Sequence, residues 1–172
     1  VGENVTVDGT IITVTASGSY AFSGTLDDGQ ICVNIPDETV DAGTVKLYLN
    51  GVTMTGLSEA PIYVVNAEKT VITLGTDTKN YLYDGETYTE TTAVIHAKDD
   101  LNIKGDGCLR VEAAYQDGIQ CNNDLKINGG DIKVKTDIGD GMRGKTSLEI
   151  KDGTVDVNAA GDGVKSDRQS VV

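Results

Sequence analysis

From residue 101 onward the chain alternates apolar and polar positions in three similar stretches: "LNIKGDGCLRV", "LKINGGDIKV" and "LEIKDGTVDV". Leu101, Ile103, Leu109 and Val111 share one face, as do Leu125, Ile127, Ile132 and Val134, and Leu148, Ile150, Val155 and Val157. Strict alternation of this kind predicts half-buried strands, and the glycines that interrupt it (Gly105 and Gly107, Gly129 and Gly130, Gly153) predict sharp corners. The pattern recurs with a steady period. The residues that open each unit are Leu101, Leu125, Leu148 and Val171, and a second anchor runs Ile119, Met142, Val164 inside "QDGIQCN", "GDGMRGK" and "GDGVKSD". Both anchors step by about 23 residues.

A unit of that length, with three short strands and no helix, cannot bury its apolar face alone, whereas a stack of such units forms one continuous core. The expected architecture is therefore all-β, a right-handed parallel β-helix. A β-sandwich of hairpins gives no reason for like residues to recur in vertical register. Upstream the pattern loosens. Residues 1–30 read as an N-terminal β cap, 31–92 as longer irregular coils carrying an insertion at 76–92, and 93–172 as regular coils of which the last is incomplete. Val171 and Val172 fall where a new strand opens, leaving an edge that invites either further coils in a parent chain or self-association through the C-terminal coil.

Composition sharpens this picture. The 172 residues suit a single domain, with 21 glycines, no tryptophan and a formal charge of −13. Such a charge repels nucleic acid and anionic membranes, and no apolar run is long enough to insert in a bilayer. Cations, neutral polymers and basic partners remain. Cys32, Cys108 and Cys121 are too few and too irregularly spaced for a disulfide framework or a zinc site. The chain begins at Val1 without a methionine, as a processed or excised piece does.

In a β-helix equivalent residues of successive coils stand about 4.8 Å apart, which would gather Asp117, Asp140 and Asp162 into a row of carboxylates. Each neighbouring pair then repels by roughly 1 to 3 kcal/mol at intermediate dielectric, and a calcium ion between rungs removes that cost. The competing reading is that each aspartate caps a turn ahead of a left-handed glycine. A second acidic group, Asp99 and Asp100 over Asn123 and Asp124, fades into Thr146 and Ser147 and is a weaker candidate for the same metal.

Beside the first row runs an outward series, His96, Gln120, Arg143 and Lys165, with Lys98 and Lys145 in the following turn. Gln120, Arg143, Lys145 and Lys165 are candidate contacts for an acidic polymer, or else charge balance for the aspartates. Arg143 or Lys165 as the base of a lyase would need a depressed pKa, and neighbouring carboxylates raise it. With His96 the sole histidine, neither a Ser-His-Asp site nor a metal site of two histidines is expected, while hydrolysis by a carboxylate pair stays open. Tyr81, Tyr83 and Tyr88 cluster in the insertion, offering rings for sugar stacking or closing a loop over the core.

Taken in order, "VTVDGTIITVTASGSYAFSGTL", "VKLYLNGV", "HAKDDLNIKGDGCLRV", "QDGIQCNNDLKINGGDIKV" and "GDGMRGKTSLEIKDGTVDVNAAGDGVKSD" resemble a bacterial family of carbohydrate-binding β-helix proteins found on the surfaces of polysaccharide degraders, similar in fold to pectate lyases. The resemblance implies an exported or cell-surface protein that binds plant cell-wall polysaccharide, cellulose or an acidic pectin-like glycan, with calcium in its acidic turns. Two positions depart from it: Ala93-Val94 stands where later coils have Asp-Gly, and Thr146-Ser147 replaces acids. The reading is thus a non-catalytic carbohydrate-binding module with no catalytic residues assigned. A polysaccharide lyase of the same fold and a structural adhesin or spacer stand beside it.

Overall fold

The computed structural model describes residues 3–85, 91–169 and 171–172, and within these it is all-β with no helix, a parallel β-solenoid of about six turns. Fifteen strands follow in order: β1 (Val5–Asp8), β2 (Ile11–Val14), β3 (Gly18–Leu26), β4 (Gln30–Asn34), β5 (Thr44–Gly56), β6 (Ile62–Asn66), β7 (Lys69–Leu74), β8 (Lys79–Asp84), β9 (Ala93–Ala97), β10 (Asp100–Ala113), β11 (Asp117–Cys121), β12 (Asp124–Thr136), β13 (Met142–Gly144), β14 (Ser147–Asn158) and β15 (Val164–Ser166). The short strands form one sheet in the order β1-β2-β4-β6-β9-β11-β13-β15. The second is ordered β14-β12-β10-β7-β5-β3, with β8 pairing both β5 and β10.

The register is the one the apolar anchors predict. Leu101 pairs with Leu125 and Leu125 with Leu148, and a final bridge joins Leu148 to Val171. Ile119 pairs with Met142 and Met142 with Val164. The inward residues meet as one core in which Leu101, Ile103, Leu125, Ile127 and Leu148 are essentially inaccessible. Each such side chain contributes on the order of 1.5–3 kcal/mol by leaving water. The strand count differs from expectation in one respect. The second and third strands of most coils run together as one long strand that turns at a glycine, because a positive-φ residue bends the ladder without ending it. Gly105 (φ 105°) and Gly153 (φ 97°) are two of these corners. A Cβ on Gly105 would also collide with the carbonyl of Leu74 in the coil below.

At the N-terminus antiparallel pairing joins β1 to β2, in register Val5 with Val14. Both β2 and β3, upstream of residue 30, already pair in parallel with β4 and β5. Residues 76–92 likewise contain a regular strand. Within them β8 presents Leu82 and Asn80 to the interior, both fully buried. A polar residue at an inward position is what hid this strand from the apolar pattern. Asn80 is satisfied where it sits: its Oδ1 accepts the N–H groups of Gly51 and Val52 at 3.0 and 2.9 Å, and its Nδ2 donates to the Cys108 carbonyl at 3.1 Å. It thereby pins the bend of β5 and the bend of β10 together.

Candidate functional site

Two outer surfaces carry the candidate residues. On the first, Asp117, Asp140 and Asp162 stand in register at the corners that lead into β11, β13 and β15. Asp117 Oδ1 accepts the backbone N–H of Asp140 and Asp140 Oδ1 accepts that of Asp162, each at 2.8 Å. The glycines that follow are not left-handed. Gly118 is required by close approach, since a Cβ there would strike the Val134 side chain and the Gly141 carbonyl of the next coil. Burial raises the pKa of Asp117, against the opposing influence of the Asp140 N–H. Lys165 Nζ lies 3.2 Å from Asp140 Oδ2 and 3.3 Å from Asp162 Oδ2.

The second acidic group repeats the theme. Asp100 Oδ1 accepts the Asp124 N–H at 3.3 Å, Asp124 Oδ1 accepts the Ser147 hydroxyl at 2.7 Å, and Asp99 Oδ2 accepts the Ala67 N–H at 3.2 Å. Asn123 lies exposed and offers its carbonyl to the Thr146 N–H at 3.1 Å. Asp28 and Asp84 do the same for Ser58 and Ala114, one coil further along. Corner amides that the strand ladder leaves without a carbonyl are thus taken by carboxylates from a neighbouring coil. Among the described residues no three Asp, Glu, His or Cys side chains converge as a cation cage. Asp117, Asp140, Asp99 and Asp100 each turn one oxygen to a backbone amide and Asp140 and Asp162 share an ammonium, so the side-chain oxygens left open in either row fall short of the six to eight that calcium takes.

The basic row also forms in register: Tyr63 pairs with His96, His96 with Gln120, Gln120 with Arg143, and Arg143 with Lys165. Its members are engaged. Arg143 makes a bidentate pair with Asp167 at 3.2 and 2.7 Å. Gln120 is only 3% exposed, accepting from the Thr92 hydroxyl at 2.8 Å and donating to Asn122 Oδ1 at 3.2 Å. Hydrogen bonding to Asp167 raises the pKa of Arg143, and bonding to Asp140 and Asp162 raises that of Lys165. Both shifts oppose proton abstraction. His96 is buried against Tyr63, ring centroids 5.4 Å apart, and its pKa falls to about 4 through desolvation and then through Lys145 and Lys98.

The second surface is the outer face of β8 and of the C-terminal halves of β10, β12 and β14. Tyr81 and Tyr83 lie here in a regular strand rather than on a projecting loop, and Tyr88 falls outside the described residues. Their rings are nearly parallel, 4° apart in plane with centroids at 6.4 Å, and the Arg110 guanidinium sits 6.0 Å from the Tyr81 ring centre. Register builds two ladders from them: Tyr81, Arg110, Lys133 and Asp156, and beside it Tyr83, Glu112, Lys135 and Asn158. Between the ladders runs a trough of about 240 Å³ crossing three coils. A second, of about 230 Å³, is bounded by Lys79, Cys108 and Asp131 on its other side.

Sequence reasoning named Tyr81 and Tyr83 but missed Arg110, Glu112, Lys133 and Lys135. The signal was present, because "LRVE" and "IKVK" place these side chains outward by simple alternation. What hid the surface was that "NYLYD" continues it. Flat aromatic faces with hydroxyls and cations along a shallow open trough are the equipment for an extended, polar, weakly hydrophobic chain.

A family model described as a carbohydrate-binding domain-containing protein matches residues 8–171. A relative with that description from Acetivibrio thermocellus is 43% identical over 131 residues, 72% of this chain and 44% of the relative. The chain thus spans less than half the length of that curated relative. A solved structure described as a polysaccharide lyase-like protein from C. thermocellum, as a gadolinium derivative, superimposes with a TM-score of 0.92 at 38% identity, covering 98% of this chain and 69% of that one.

Proposed function

Because the chain belongs to the family of carbohydrate-binding domain-containing proteins, we propose that it is a non-catalytic module binding an extended cell-wall polysaccharide on the outer face of β8, β10, β12 and β14. The observation that carries this is the parallel Tyr81–Tyr83 pair continued by Arg110 and Lys133 along troughs that cross three coils. Sugar rings stack on the tyrosines, and the cations meet hydroxyls or, in a pectin-like chain, carboxylates. Arg143 and Lys165, the bases considered for a lyase, are held by Asp167 and by Asp140 and Asp162, which speaks against that role for these two side chains. With a ligand of this kind goes a proposed location outside the cell or on its surface.

Binding to cellulose, xylan and polygalacturonate, measured alongside absorbance of unsaturated product, tests the reading. The expected result is binding without product, lost by at least tenfold in Tyr81→Ala/Arg110→Ala while the folded spectrum is kept. Unsaturated product would establish the lyase. Unchanged affinity in the double variant would remove this face from the site, and absence of binding to every glycan would leave a structural spacer.

A further inference from the structure

We propose that the Lys165 ammonium occupies the cation position of the aspartate row, so that the row is closed from within the chain and its stability does not depend on calcium. A divalent ion would have to bridge successive rungs. Lys165 Nζ already does so, at 3.2 Å from Asp140 Oδ2 and 3.3 Å from Asp162 Oδ2. The other oxygen of Asp140 is turned to the Asp162 amide, and no further Asp, Glu, His or Cys among the described residues completes a cage. The Asp140 side chain is only 14% exposed. Water screens its charge poorly, so the nearest cation matters most at this rung. One coil below, the equivalent side chain, Arg143, reaches to Asp167 instead. Among the described residues Asp117 pairs with no ammonium, and one of its oxygens is turned to the Asp140 amide. This inference does not rest on the glycan-binding face.

The test is thermal unfolding of wild type, Lys165→Met, Lys165→Arg and Asp140→Asn, each with calcium and with chelator. Expected are a wild-type midpoint that calcium does not move, a Lys165→Met midpoint lower by several degrees both in chelator and in calcium, and a Lys165→Arg variant that behaves as wild type. Lys165→Gln takes the place of Lys165→Met if the latter does not fold. A calcium-dependent rise in wild type that Asp140→Asn abolishes would overturn the proposal. So would a Lys165→Met midpoint equal to wild type in both conditions.

Discussion

Asp117 Oδ1 accepts the backbone N–H of Asp140 at 2.8 Å, across the full length of one coil. The carboxylate is acting as a carbonyl of the ladder at a corner where the ladder is interrupted. Asp117→Ala orphans that amide in a largely buried place and should cost about 1–3 kcal/mol. Asp117→Asn keeps an acceptor oxygen without burying a charge and should cost much less. Urea unfolding distinguishes them, and equal losses for both variants would mean that charge, rather than the amide bond, is what matters.

Asn80 makes the same point inside the core. It is fully buried and answers three backbone groups on two coils. Asn80→Leu fills the space but leaves the Gly51 and Val52 amides and the Cys108 carbonyl unanswered, so a loss of roughly 2–5 kcal/mol is expected. Measurement of the unfolding free energy checks it; a stabilised leucine variant would show that the bend needs no polar pin.

His96 makes stability depend on pH. Its pKa is lowered to about 4 in the folded chain, chiefly by desolvation, against about 6.5 for an exposed imidazole. The folded state therefore holds the neutral form and resists a proton that the unfolded state accepts. The contribution is full above pH 6.5, is lost as pH falls toward 4, and changes no further below, for a total of roughly 1–3 kcal/mol. The raised Asp117 acts oppositely, favouring the fold at low pH. His96→Phe should flatten the profile between pH 4 and 6.5; a profile as steep as wild type would remove His96 as its source.

The two outer surfaces make separable predictions for an acidic glycan. Arg110→Ala/Lys133→Ala should weaken binding to polygalacturonate and reduce its salt dependence, because these cations line the troughs. Arg143→Ala should leave affinity within about twofold, since its guanidinium is held by Asp167. Titrations at two ionic strengths decide between the faces, and the reverse ranking would return the site to the basic row.

Much of this molecule was legible along the chain. The recurrence of Leu101, Leu125 and Leu148 determined strand, period and register, because inward positions of a solenoid see only their own equivalents above and below. The same logic aligned Asp117 with Asp140 and His96 with Gln120. What a row of like residues does was another matter. That Asp140 faces an amide and an ammonium, and that Arg143 turns to Asp167, depends on side-chain directions that periodicity does not specify. The tyrosine face was hidden for a related reason. Asn80 breaks the apolar pattern of β8, and only its buried hydrogen bonds to β5 and β10 reveal it as an inward residue. Hydrophobic burial acts on each position separately and can be read from a list of residues, whereas a polar group is defined by the partner that tertiary structure brings to it.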